Sequence, residues 1–154
     1  MHLTEFLDFD AIKPALPAGN KRSLFQQLSA LAGARLGVEP AAVLETLNER
    51  EQLGSTGFGH GVAIPHGKVE GLTRIYCLFA RLSDPVRYKA VDGQNVDLVF
   101  LLLSPPDAGA DHLKALAALS RVIRHAPTLE KLRGARSRDA LAAVLMGADE
   151  RDAA

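Results

Sequence analysis

The chain has 154 residues, 47% apolar and 23% charged, the composition of one average globular domain. Its 18 basic residues balance 18 acidic ones, so no global field recruits nucleic acid or an anionic membrane. A domain of this size buries roughly 70% of its unfolded surface and needs no disulfide or metal staple.

Glu5, Asp8 and Asp10 stand where a secretory leader would carry basic and then apolar residues. No apolar run approaches the ~20 residues of a membrane span, so a cytoplasmic protein is expected, without membrane insertion. Residues 3–17, with Pro14 and Pro17, predict a short strand near Ile12 and then a turn. From Asn20 the pattern is helical. Leu24, Leu28, Leu31 and Leu36 follow the helical period, with Asn20 as N-cap and Gly37 as stop. A second helix is predicted from Pro40 to Gln52, with Val43, Leu44 and Leu47 turned inward, Pro40 in the first turn and Gly54 at the exit.

The stretch from Gly54 to Gly71 differs in kind, with Gly54, Gly57, Gly59, Gly61, Gly67 and Gly71 around a short β-like segment, Val62-Ala63-Ile64. Such glycine density lets the backbone take positive φ and approach a neighbour or ligand closely. Two strands are expected next, Arg74–Leu82 and Val96–Leu103, separated by a turn at Val91-Asp92-Gly93-Gln94. The second is almost continuously apolar, as a central strand covered on both faces requires. Cys77, the only cysteine, lies within the first, where a small buried hydrophobe is its expected role; no internal disulfide can form. After Pro105-Pro106, residues Leu113, Leu116, Leu119, Val122 and Ile123 predict one helical stripe. Two short helices follow, around Leu129–Leu132 and Asp139–Leu145. Strands flanked by helices argue for an α/β domain with a mixed or largely parallel sheet.

Several chemistries can be tested against the glycine-rich segment. A Walker-type phosphate loop needs four residues between its first glycine and Gly-Lys, then Ser or Thr; here five separate Gly61 from Gly67-Lys68, and Val69 follows. A dinucleotide fingerprint fails as well, because Gly57, Gly59 and Gly61 place the third glycine one residue early and follow a predicted helix, not a strand. His60 and His66, six apart and without a supporting cysteine pair, do not make a zinc motif, so no metal is expected. A nucleophilic His66 does suit the residues. A neutral imidazole offers a lone pair near pH 7, Pro65 rigidifies the approach, and Gly67 leaves room beside the ring. Arg50, Ser55, Thr56 and the amides around Gly57 are candidate donors to phosphate oxygens. On residue chemistry alone this is one option beside an ordinary surface histidine.

The run Asn48-Glu49-Arg50-Glu51-Gln52-Leu53-Gly54-Ser55-Thr56-Gly57-Phe58-Gly59-His60-Gly61-Val62-Ala63-Ile64-Pro65-His66-Gly67-Lys68 resembles the signature of the enzyme IIA family of the bacterial phosphotransferase system, of the fructose–mannitol–nitrogen type. Ala90-Val91-Asp92-Gly93 and His112-Leu113 also fall where that family places equivalent elements. The resemblance implies that His66 accepts a phosphoryl group, that His112 is a second active-site histidine, that Arg50 lies beside the phosphate, and that Thr56 and its neighbours line the pocket. It implies no cofactor, and a single α/β domain over 1–154 with a mixed, largely parallel sheet of about five strands flanked by helices on both faces. His60 stands where the family usually has asparagine, and is expected to face solvent. The implied donor is a histidine-containing phosphocarrier protein. The form Pro65-His66-Gly67-Lys68, with no fused IIB or membrane segment, resembles the nitrogen-regulatory type, whose targets include transporters and sensor kinases. Two alternatives stand beside it: a sugar-type IIA that passes the group to a IIB protein, and a binding module of the same fold that has lost phosphotransfer.

Overall fold

The computed structural model describes residues 1–152 and the side chains of residues 1–148. After two 3-10 turns, Leu3–Glu5 and Phe9–Ala11, the elements are β1 (Lys13–Leu16), α1 (Lys21–Leu36), α2 (Pro40–Gln52), β2 (Gly57–Gly59), β3 (Val62–Ala63), β4 (His66–Lys68), β5 (Tyr76–Val86), β6 (Val96–Ser104), α3 (Ala110–Ile123), α4 (Ala126–Gly134) and α5 (Arg138–Asp152). The first two helices follow their sequence signals. The Asn20 side chain accepts from the Ser23 amide at 2.8 Å, and Gly37 closes α1 at φ 69°. Pro40 begins α2.

One mixed sheet runs in the order β1-β5-β6-β3-β2, with β4 also paired to β6. The β1–β5, β3–β6 and β4–β6 pairings are parallel. The longest ladder, β5 against β6, is antiparallel and runs from Tyr76↔Leu103 to Val86↔Val96. The apolar run of β6 announces burial on both faces but not strand direction. All of β6 is buried except the partly exposed Asp97. Its residues divide by the strand period of two. Leu98, Phe100 and Leu102 join a core under α3, α4, α5 and the N-terminal turns. Val99, Leu101 and Leu103 join a second core under α1 and α2.

β3 and β4 both pair with β6 and form one line of strand broken at Pro65. Val62 pairs with Leu98 and His66 with Leu102, while the Leu102 amide donates to the Pro65 carbonyl at 3.0 Å. Pro65 has no N–H to contribute, and it lies beyond the β2–β3 register, so no ladder bond is lost on that side. β2 and β3 form a hairpin whose two turn residues, His60 (φ 59°) and Gly61 (φ 78°), both take the left-handed conformation a primed turn needs.

The α3 stripe differs from its prediction. Ala115, Ala118, Leu119, Val122 and Ile123 are buried, whereas Leu113 is 68% exposed and Leu116 only partly buried. Alanines let the helix approach the sheet closely, and its first turn overhangs the strand ends. α5 is longer than its apolar signal because only Leu141, Leu145 and Ala148 pack inward. Cys77 is fully buried in β5, and burial pushes its thiol far above the usual range. Arg81 reaches from β5 to the carbonyls of Pro14 (2.9 Å), Leu132 (2.8 Å) and Ala135 (2.6 Å), tying β1 and the α4–α5 connection to the sheet. Among the described residues, no helix is long and apolar enough to cross a membrane.

Candidate functional site

His66 opens β4 just after Pro65, half-buried at the end of the sheet where β6 terminates. Its Nδ1 lies 2.7 Å from the Ile64 carbonyl oxygen. A carbonyl can only accept, so Nδ1 carries the proton and Nε2 keeps its lone pair. Burial holds the imidazolium form below the ordinary histidine pKa of 6.5, and the positive charge of Arg50 pushes the same way, against the Ile64 hydrogen bond. The result is a neutral ring with an unprotonated Nε2, which is what a nucleophile toward phosphorus requires.

His112, in the first turn of α3, stands with its ring centroid 5.4 Å from that of His66 and tilted by 48°. Burial, with the nearby charges of His66 and Lys68, also holds its pKa low. Its Nδ1 is 2.5 Å from the hydroxyl of Ser104, the last residue of β6. The room left by Gly67 is filled by α2, not by the ring's surroundings: a Cβ there would lie 2.2 Å from Thr46 Cγ2. Gly67 therefore seats the strand that carries His66 directly against α2.

Arg50 sits in the last turn of α2, donating Nη1–H to the Gly54 carbonyl at 2.9 Å. The loop from Leu53 to Thr56 is fixed by the residue next to it, Glu51. Its carboxylate accepts from the Thr56 amide (3.0 Å) and the Thr56 hydroxyl (2.5 Å), and it pairs with Lys21 Nζ at 2.5 Å. The Thr56 hydroxyl also meets the phenol of fully buried Tyr88 at 2.7 Å. Since its proton goes to Glu51, that hydroxyl accepts from Tyr88. Ser55 Oγ accepts from the Gly57 amide (3.1 Å) and donates to the Tyr88 carbonyl (3.4 Å). In this state the Thr56 hydroxyl and the Gly57 amide are thus occupied by the chain itself. Gly57 is required for close approach, because a Cβ would lie 2.6 Å from that of Ala90.

Arg50, Ser55, Thr56, Gly57, His66 and His112 therefore come together around one end of the sheet. Thr56, Gly57, Phe58, Ile64 and Leu116 line a depression beside His66, and Leu53, 84% exposed, stands next to its loop. His60 does not join them. It is exposed at the hairpin tip; its amide donates to Asp92 (3.0 Å) and its carbonyl accepts from Arg133 (2.6 Å). The left-handed conformation there suits asparagine better than most residues, so His60 takes over a turn position. Among the described residues, no group of three or more His, Cys, Asp or Glu could hold a metal ion.

Ser104, Glu51, Lys21 and Tyr88 were not legible as site residues. Glu51 falls within the run carrying the family resemblance, but nothing local distinguishes it from an exposed helix-end glutamate. Lys21 and Tyr88 act through contacts between residues far apart in the chain, and Ser104 through a contact made only where β6 meets α3.

Comparison with known proteins fits this geometry. Residues 5–147 match the family model of the phosphoenolpyruvate-dependent sugar phosphotransferase system, EIIA 2. A nitrogen regulatory protein of Bradyrhizobium diazoefficiens is 48% identical over 145 residues, covering 94% of this chain and 95% of that protein. The crystal structure of nitrogen regulatory protein IIA-Ntr from Neisseria meningitidis superposes with a TM-score of 0.86 at 36% identity, over 92% of this chain and 97% of that one. The mannitol IIA of Escherichia coli, solved in complex with phosphorylated IIB, shares the fold at a TM-score of 0.76 and 20% identity, over 90% and 95% of the two chains. The chain belongs to the EIIA 2 family of the phosphoenolpyruvate-dependent phosphotransferase system.

Proposed function

We propose that the protein is a phosphotransferase intermediate that accepts a phosphoryl group on Nε2 of His66 and carries it as a regulatory signal of the nitrogen type. The observation that carries this reading is the Ile64 carbonyl on Nδ1, which leaves Nε2 as the one nucleophilic atom of the ring. The donor is a histidine-containing phosphocarrier protein docking over His66. The Nε2 lone pair forms the new N–P bond as the donor's N–P bond breaks, and the departing nitrogen keeps its electron pair. Nδ1–H stays on Ile64, so the phosphorylated ring is cationic and remains a good leaving group for the next step. Phosphoryl transfer of this kind runs through a loose, metaphosphate-like state and depends on positioning and on donors facing the oxygens. Arg50 supplies positive charge to those oxygens, and Ser55, Thr56 and Gly57 shape the loop beside them. No cofactor is needed, because the incoming phosphohistidine is already activated.

Similarity to nitrogen regulatory proteins along nearly the whole chain supports the regulatory outcome, with transporters or sensor kinases as targets and the cytoplasm as the compartment. The test is incubation with phosphoenolpyruvate, the system's first enzyme and its carrier. Wild type acquires one acid-labile phosphate, and His66→Ala acquires none. Phosphate on His66→Ala, or none on wild type, contradicts the proposal. Efficient passage of the group from phosphorylated protein to a IIB protein of the same cell would favour the sugar-type outcome instead.

A further inference from the structure

Ser104 ends β6 with no exposed surface, and its backbone carbonyl already accepts from the Val69 amide at 2.9 Å. Among the described residues its hydroxyl has a single partner, Nδ1 of His112 at 2.5 Å. Two arrangements of the proton are possible. If His112 donated Nδ1–H to Oγ, the buried hydroxyl would keep a proton with no acceptor, which is costly where water cannot reach. If the hydroxyl donates to Nδ1, both atoms are satisfied and the ring proton resides on Nε2.

We infer that Ser104 is a positioning residue that locks His112 as the Nε2–H tautomer, the opposite of His66. The two rings, 5.4 Å apart, then have complementary functions. His66 has its proton on Nδ1, held by Ile64, and exposes a lone pair at Nε2. His112 has its lone pair satisfied by Ser104 and offers an N–H. With Nδ1 occupied, Nε2–H is the only proton His112 can present to an anionic group on His66. A phosphoryl oxygen there meets a donor instead of a second lone pair. The functional consequence rests on the phosphoryl-carrier reading; the tautomer does not.

The experiment is a two-bond proton–nitrogen correlation on protein with nitrogen-15-labelled histidine, recorded above the histidine titration range. Wild-type His112 is expected to show a protonated-type Nε2 and a pyridine-type Nδ1, and His66 the reverse. Ser104→Ala shifts His112 toward a mixture of tautomers while leaving the His66 pattern unchanged, and Ser104→Thr restores the wild-type pattern. An Nδ1–H tautomer for wild-type His112 overturns the inference without any variant, as does a Ser104→Ala spectrum identical to wild type. In the same proteins, Ser104→Ala should accept phosphate from the carrier about 2–10-fold more slowly, the loss of one aligned hydrogen bond; an unchanged rate overturns the donor role of His112. If wild type takes no phosphate at all, the carrier reading fails, and the spectra alone decide the tautomer.

Discussion

The imidazole of His66 is neutral because burial and three neighbours, Ile64, Arg50 and Glu51, act on it unequally. Burial and the Arg50 charge disfavour the proton on Nε2, and together they outweigh the Ile64 carbonyl and the Glu51 charge, which favour the charged ring. On the proposed function the neutral ring is the nucleophile, so phosphoryl acceptance should survive acidification past the ordinary value of 6.5, with its midpoint below it. Arg50→Ala should raise that midpoint and slow acceptance. Histidine ring titration by NMR checks both, and a His66 midpoint above 6.5 would contradict the account. The same shift bears on stability. The unfolded chain binds its protons near 6.5 and the folded chain only lower down, so stability is lost as pH falls from 6.5 to the folded value and levels off below it. His66 and Arg50 could be named as candidates because a family signature surrounds them, and His112 because His112-Leu113 falls where the family places an equivalent element. Ser104 could not, since its role depends on where β6 ends relative to the first turn of α3, a tertiary relation.

The segment that matters most at the level of elements is the passage from α2 through Leu53–Thr56 into β2. Four groups from three parts of the chain converge on it: Lys21 opens α1, Glu51 lies in the last turn of α2, and Tyr88 and Ala90 come from the β5–β6 connection. Glu51→Ala should free the Thr56 amide and hydroxyl and leave Lys21 without its carboxylate. A loss of about 2–3 kcal/mol is expected for removing hydrogen bonds to a charged acceptor, read as a lower urea midpoint with slower phosphoryl acceptance. A midpoint equal to wild type would remove Glu51 from this role. Helices α1 and α2 were legible to the residue because caps and apolar period agree, and β6 because its run is broken only by Asp97. β2 and β4, Gly57–Gly59 and His66–Lys68, were not. Three residues carry no period, and both exist only through pairing with β3 and β6. Leu113 misleads for a related reason, since its spacing fits the helix period while its side chain joins neither core.

Across the whole molecule, two cores share one sheet, and the site draws from both layers: Arg50 and Glu51 come from the α1–α2 side, His112 from the α3–α5 side. The class of fold could be read from the alternation of elements, and the charge balance supplies no global field toward polyanions. That β5 and β6 run antiparallel could not be read, because burial on both faces is the same in either direction. Far from the site, Arg81 holds the carbonyls of β1 and of the α4–α5 connection together. Arg81→Met should orphan those carbonyls and cost about 2–4 kcal/mol, while phosphoryl acceptance at temperatures below unfolding stays at the wild-type rate. Chemical denaturation beside a phosphorylation assay separates the two effects, and a loss of acceptance in the folded variant would contradict the separation.

The sealed position of Cys77 has a practical consequence. A fully buried thiol whose ionisation is pushed far upward offers no thiolate to an alkylating reagent while the β5–β6 ladder is closed. Its consumption therefore counts openings of the central ladder and serves as an internal clock for unfolding. The folded chain is also silent toward maleimides, so a cysteine introduced at Leu113 would be its only reactive handle. A fluorophore placed there, one residue from His112, would watch phosphate arrive and leave in real time.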